Sequence, residues 1–282
     1  MPETVCGLLA EAKRLLKDDV EDAALDARLL LQYAAKVSHE DIVAYPEQPV
    51  AENAAQSFRN FVQRRKNNEP VSRIIGEREF YGRVFAISPA VLDPRPDTET
   101  LIDLALEYLK GHTAPRILDL GTGSGILAVT LLAELPNASA VATDISRAPL
   151  TAARGNADRL GVGNRLETLQ ANWLDGVTGI YDLIVSNPPY IPLADIAGLA
   201  PDVKDYDPAK ALDGGPDGLE AYRRIAVGAP AHLAPRGAVL VESGAGQQPS
   251  VKAIFGAQGL EFRQSKADLG GHERALLFIR RP

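Results

Sequence analysis

At 282 residues, with 45% hydrophobic and 24% charged residues, the chain has ordinary globular composition and room for one full domain plus a small one. A net charge of -7 argues against nucleic acid as the main substrate, because neutralising many phosphates needs a basic footprint. The single cysteine, Cys6, excludes an intramolecular disulfide and a cysteine-rich zinc site, and no run reaches the ~18 apolar residues of a membrane span. A reducing cytoplasm is the expected setting, with no membrane partner.

Val5, Leu8, Leu9, Ala12, Leu15 and Leu16 recur at helical spacing behind Thr4, a candidate N-cap. The same period returns over Leu25, Leu29, Leu30, Tyr33, Ala34 and Val37, and again over Ala54, Phe58, Phe61, Val62 and Arg65. Residues 1–70 therefore read as a small helical domain. Its basic cluster, Arg64, Arg65 and Lys66, reads as a solvated helix end in preference to a contact for an acidic partner. Residues 71–89 read as a linker, with a β-hairpin expected over Glu79 to Ile87, where aromatic and β-branched residues flank Gly82.

Residues 90–282 have an α/β pattern. Arg116 to Leu120, Ala140 to Thr143, Tyr181 to Val185 and Ala238 to Val241 are short apolar runs separated by helical stretches, as buried parallel strands are. A final run, Ala275 to Ile279, is expected to close the sheet.

Three motifs carry chemistry. Behind the first strand come Gly121, Thr122, Gly123, Ser124 and Gly125, a turn in which glycine lets a ligand approach the backbone. A dinucleotide fingerprint would need a small residue at 126, where Ile126 stands, so the spacing suits a nucleoside-methionine ligand better than a pyrophosphate. Asp144 ends the second strand, where a carboxylate can accept from both hydroxyls of a ribose; capping the following helix is its bland alternative. Asn172 and Trp173 fall where such sheets line an adenine pocket, with core filling the rival role for the one tryptophan.

The strongest signal is Asn187-Pro188-Pro189-Tyr190 after Ser186, at the carboxyl end of the strand Tyr181 to Val185. Two prolines remove two donors and stiffen the turn. The Asn187 side-chain oxygen and the Pro188 carbonyl can then accept both protons of one planar NH2 group, and Tyr190 can stack on a flat amide or base and approach a cationic sulfur. A turn with no function is the alternative.

Together, Asp119-Leu120-Gly121-Thr122-Gly123-Ser124-Gly125 and Asn187-Pro188-Pro189-Tyr190 resemble the amino- and amide-directed methyltransferases. Pro70 to Glu99, Asp26 to Leu31, Asp213 to Gly215 followed by Glu220 to Ile225, and Glu242-Ser243-Gly244 with Gln247 resemble the release factor glutamine N5-methyltransferases of the HemK family. The likeness spans nearly the whole chain. It implies a Rossmann-like class I S-adenosylmethionine-dependent methyltransferase domain behind a helical domain that holds the protein substrate. It also implies cofactor binding by Gly121 to Gly125, Asp144, Asn172, Trp173 and Asn187, with substrate binding and catalysis at Asn187, Pro188, Pro189 and Tyr190. The product would be S-adenosylhomocysteine, no metal is expected, and the substrate would be the glutamine of the Gly-Gly-Gln loop in class I release factors. Departures from the family pattern are Asn172 in place of an acid, Asp93 in place of an apolar residue, and Gly271-His272. A glutamine methyltransferase for a ribosomal protein is the near alternative, and Pro94 to Glu99 weighs against it. A DNA adenine methyltransferase shares the Asn-Pro-Pro-Tyr motif, but the acidic charge opposes it. A nicotinamide oxidoreductase is disfavoured by Ile126.

Overall fold

The computed structural model describes residues 3–280. The chain forms two compact units, one running to Glu77 and joined by Ala200–Tyr206, the other formed by Arg78–Leu199 and the residues from Asp207 onward.

The first unit contains helices Val5–Leu16, Ala23–Ala35, His39–Ala44, Glu52–Lys66 and Val71–Ile75. Their starts follow local chemistry. Thr4 Oγ1 accepts from the Gly7 amide at 3.3 Å, Asp22 accepts from the Leu25 amide at 2.9 Å, and Ser38 and Asp41 form a reciprocal capping box. The inward faces meet in one core around Val5, Leu8, Leu16, Leu30, Phe58, Val62 and Ile74. Ile74 lies in the stretch that reads as the start of the linker, so Val71–Ile75 packs as part of the helical unit. The basic cluster is less solvated than its sequence suggests. Arg64 holds Glu69 at 2.8 and 2.5 Å, and Arg65 holds Asp26 at 2.6 Å.

Strands β1 (Glu77–Phe80) and β2 (Arg83–Ala86) form a two-stranded hairpin turned by Tyr81 and Gly82, both at positive φ, as a tight hairpin turn requires. Phe80 and Phe85 meet edge to face at 6.2 Å and enter the core of the second unit.

The second unit is built on a seven-stranded sheet of β3 (Arg116–Leu120), β4 (Ser139–Asp144), β5 (Leu166–Gln170), β6 (Tyr181–Ser186), β7 (Leu233–Glu242), β8 (Leu260–Ala267) and β9 (Glu273–Arg280). Their spatial order is β5-β4-β3-β6-β7-β9-β8. The first five are mutually parallel, β9 alone runs the opposite way, and β8, antiparallel to β9, runs in the direction of the first five. Both faces are covered, which is why the inner strands, β3, β6, β7 and β9 among them, read as apolar runs. Ile117, Leu183, Val185 and Leu240 enter one core layer, while Leu118, Ile184, Val239 and Phe278 enter the other.

The run Ala275 to Ile279 does not close the sheet. It lies inside β9, between β7 and β8, and β8 forms the edge. Strand β8 carries Glu261, Arg263 and Lys266 with most side chains exposed or half-buried, so it lacks an apolar run, and such charges suit an edge that must not pair further. Gly271-His272 sit in the tight turn between these two strands, where the His272 amide donates to Asp268 at 2.9 Å.

Candidate active site

The chain runs from β3 outward to β4 and β5, then returns to β6 on the other side of β3. A crevice opens at the carboxyl ends of the strands at such a reversal. Here it is a cavity of about 660 Å³, within the usual range for small-ligand sites. Gly121, Thr122, Gly123, Ser124, Asp144, Asn172, Trp173, Asn187 and Pro189 line it. Gly125, Pro188 and Tyr190 lie outside the lining.

The glycine turn is shaped from below by Asp119. Its Oδ2 accepts from the Thr122 hydroxyl at 2.6 Å and from the Ala128 amide at 3.2 Å, pinning the turn to the first turn of helix Ile126–Glu134. At Gly123, φ is +56° and a side chain would meet nothing within 4 Å, so the backbone stands open. Trp173 also has positive φ, +57°, a conformation that costs a bulky residue roughly 1–2 kcal/mol. Its ring comes within 3.9 Å of where a Gly121 Cβ would be, and its inner side packs on the core. Asn172 is exposed at the rim.

Asp144 does not cap the helix Arg147–Arg159, whose N-cap is Ser146. Its Oδ1 accepts from the Ser146 amide at 2.9 Å and its Oδ2 from the Gly123 amide at 3.3 Å, so the carboxylate ties the glycine turn to the end of β4. Burial raises its pKa, while those amides and the Lys210 charge pull it down. Each oxygen keeps a further lone pair for a ligand.

Asn187 is half-buried just beyond β6. Its Nδ2 donates to Thr98 Oγ1 at 3.1 Å, and that hydroxyl donates to Glu242 Oε2 at 2.6 Å. Tyr190 donates its hydroxyl to Glu242 Oε1 at 3.4 Å, and its carbonyl accepts from Gln247 Nε2 at 2.8 Å. Burial and the nearby Glu242 carboxyl push the Tyr190 pKa well up. Arg95 pairs at 2.8 Å with Asp207, which also accepts from the backbone amide of the buried Asp93, fixing the loop after β6 against the wall that precedes Thr98.

Two family models match the chain: the PrmC N-terminal domain over residues 7–76 and the methyltransferase small domain over residues 96–196. The release factor glutamine methyltransferase of Agrobacterium fabrum (strain C58) is 43% identical over 277 residues, 97% of this chain and 96% of that one. That of Moorella thermoacetica is 41% identical over 276 residues, 97% of each. The chain belongs to the release factor glutamine methyltransferase family. The fold itself reaches further: the catalytic domain of hMettl16, solved with a MAT2A 3′UTR hairpin, superposes with a TM-score of 0.59 at 16% identity, covering 88% of this chain and 91% of that one.

Beyond the family's motif residues, the site contains groups that the sequence reading gave no role. Glu242 ends the apolar run of β7, and a carboxyl at that point of a buried strand was the available signal. Only 2% exposed, it is raised to about 7 by burial, while the Thr98 hydroxyl and Arg274 hold it lower than burial alone would. Asp119 is raised to about 7 by burial too, and its Oδ1 has no hydrogen-bond partner.

Both carboxyls keep their protons in the folded chain at pH values where an ordinary carboxyl, at 3.8 or 4.5, has released them. Their stabilising contribution is therefore complete below about pH 4 and is lost as pH rises through about 7. Asp119→Asn, which cannot titrate, is expected to flatten the decline of Tm across that window. Thermal melts of parent and variant from pH 4 to 8 check this, and parallel curves would contradict it.

Proposed function

We propose that this protein transfers a methyl group from S-adenosylmethionine to the side-chain amide nitrogen of the glutamine in the Gly-Gly-Gln loop of class I release factors, in the cytoplasm. The observation that carries the proposal is that Asn187 and Pro189, in the turn that follows β6, line the same cavity as Asp144 and the Gly121–Ser124 stretch. Family membership supports the choice of protein substrate over DNA or a dinucleotide.

S-adenosylmethionine, when bound, supplies a methyl on a cationic sulfur and leaves as S-adenosylhomocysteine. The fit rests on the open backbone at Gly123 and on the Asp144 carboxylate, whose lone pairs are only partly used. Asp144 would accept from the ribose hydroxyls, with Asn172 and Trp173 beside the base. Among the chain's own groups, Asn187 Oδ1 and the Pro188 carbonyl would hold the two protons of the substrate amide. An amide nitrogen has a delocalised lone pair and is a poor nucleophile, so fixing its orientation contributes to rate through proximity and alignment. The helical unit of residues 1–70 would hold the release factor.

Asp144→Ala is expected to weaken S-adenosylmethionine binding by roughly 1.5–3 kcal/mol, the worth of a charge-assisted hydrogen bond, or about 10- to 150-fold in Kd. Calorimetry checks it, and an unchanged Kd would take Asp144 out of the cofactor site. Methyl transfer to intact release factor, compared with release factor whose Gly-Gly-Gln glutamine is changed to alanine, tests the substrate. Equal labelling of the two would exclude that glutamine.

A further inference from the structure

Asn187 can serve as an acceptor only if its amide presents oxygen, and an amide can turn over to present NH2 in the same space. The surroundings of Asn187 decide between the two. Thr98 is fully buried, and above about pH 7, where Glu242 is ionised and both its oxygens can only accept, the Thr98 hydroxyl donates to Glu242 Oε2 at 2.6 Å and offers Asn187 only a lone pair. An oxygen of Asn187 in that place would face another oxygen without a proton between them. The 3.1 Å contact is therefore made by Nδ2, which leaves Oδ1 as the acceptor. Glu242 in turn holds the Tyr190 hydroxyl with its other oxygen, so one buried carboxyl reaches both ends of the four-residue turn. Arg274, bonded to Asp268 at 2.8 Å and to Asp97 at 3.2 Å, supplies positive charge near Glu242.

We propose that Thr98 and Glu242 are positioning residues that lock the Asn187 side chain with its oxygen as acceptor, a role that rests on the reading of Asn187 as the holder of the substrate amide. Neither residue needs to touch substrate. The lock passes from an acceptor carboxyl through a hydroxyl to the amide, and its direction is set by which atoms carry protons.

Thr98→Val keeps the shape of the side chain and removes the hydroxyl, leaving Nδ2 without its acceptor and the amide free to turn. Above about pH 7, where Glu242 is ionised, methylation of release factor is expected to lose on the order of 10- to 100-fold in kcat, as the loss of preorganisation does, with KM for release factor and Kd for S-adenosylmethionine nearly unchanged. Thr98→Ser, which restores the hydroxyl, is expected to recover most of the rate. Asn187→Ala is measured beside them. If it is inactive while Thr98→Val turns over like the parent, the lock is wrong and the reading of Asn187 stands. If Asn187→Ala itself turns over like the parent, the reading beneath the lock fails. A parallel loss of Kd and of Tm in Thr98→Val, or no recovery in Thr98→Ser, would make the hydroxyl a structural group and overturn the proposal. Thr98→Ala is the second probe should Thr98→Val not fold, and failure of both to fold would likewise assign the hydroxyl to the fold and overturn the lock.

Discussion

Asn187→Ala is expected to lower the rate of methyl transfer by about two orders of magnitude or more, the usual cost of one preorganised hydrogen bond at a reacting group. Affinity for S-adenosylmethionine should stay within a few-fold. Asn187 stands beyond the carboxyl end of β6, with its Nδ2 committed to Thr98 and its Oδ1 left to accept. Alanine deletes that acceptor, so one proton of the substrate amide goes without a partner and the NH2 group is freer to rotate. Asp144, the carboxylate proposed to accept from the ribose hydroxyls, is on β4 and bonds the Gly123 and Ser146 amides and not Asn187, which is why binding and turnover should separate. Asn187→Asp keeps an acceptor of similar shape and is expected to retain more activity than alanine. Single-turnover kinetics beside calorimetry measure both quantities. A parent-like rate in Asn187→Ala would contradict the planar-nitrogen mechanism.

Gly125→Ala is expected to produce the largest loss of stability among single-methyl additions in the glycine turn. Gly125 has φ +84°, and a Cβ there would come within 2.9 Å of Ala153 Cβ, 3.0 Å of Ala153 Cα and 3.2 Å of Val129 Cγ2. These neighbours are a backbone atom and short, branched or stubby groups in packed helices, with no flexible end to swing aside. The left-handed conformation costs an alanine roughly 1–2 kcal/mol and overpacking roughly 1–3 kcal/mol more, for a total of about 2–5 kcal/mol. In a domain of this size that is a fall in Tm of roughly 4–20 °C. Gly123→Ala is the control, because its added Cβ meets nothing within 4 Å and carries only the backbone cost. Gly123→Ala should melt within a few degrees of the parent. Equal melting of the two variants would show that helix packing behind Gly125 is looser than these distances indicate.

Four of the five parallel strands were legible because burial on both faces leaves continuous apolar runs, as in Arg116 to Leu120 and Tyr181 to Val185, whereas β5, half-exposed at one edge of the sheet, has no such run. Strand β8 was not, since an edge strand needs neither an apolar run nor clean alternation, and Leu260–Ala267 has neither. Because β8 has no apolar run of its own, the sequence presents Ala275 to Ile279 as the last strand, whereas it is paired on both sides. Helix Val71–Ile75 is five residues long, too short to show a period.

Within the candidate site, nine of the residues named from the motifs wall one cavity, because each motif ends a strand of one sheet on the same side. The supporting groups escaped for a physical reason. Thr98 is 89 residues from Asn187 and 144 from Glu242, and the pairing of β6 with β7, together with the packing of helix Glu99–Tyr108 on β7 and β9, brings them within hydrogen-bond distance. Arg95 and Asp207 are likewise 112 residues apart. Tyr190 shows the converse: its motif suggested an aromatic face for the substrate, whereas its hydroxyl is engaged by Glu242 and its ring lies outside the cavity lining.

The most direct measurement is peptide mass spectrometry of a class I release factor after incubation with this protein and S-adenosylmethionine. The expected result is one added methyl group on the peptide carrying Gly-Gly-Gln, located by fragmentation on the glutamine side chain, absent without cofactor and strongly reduced with Asn187→Ala. An unmodified Gly-Gly-Gln peptide after incubation with folded, cofactor-binding protein, or a methyl group located on any other residue, would contradict the account.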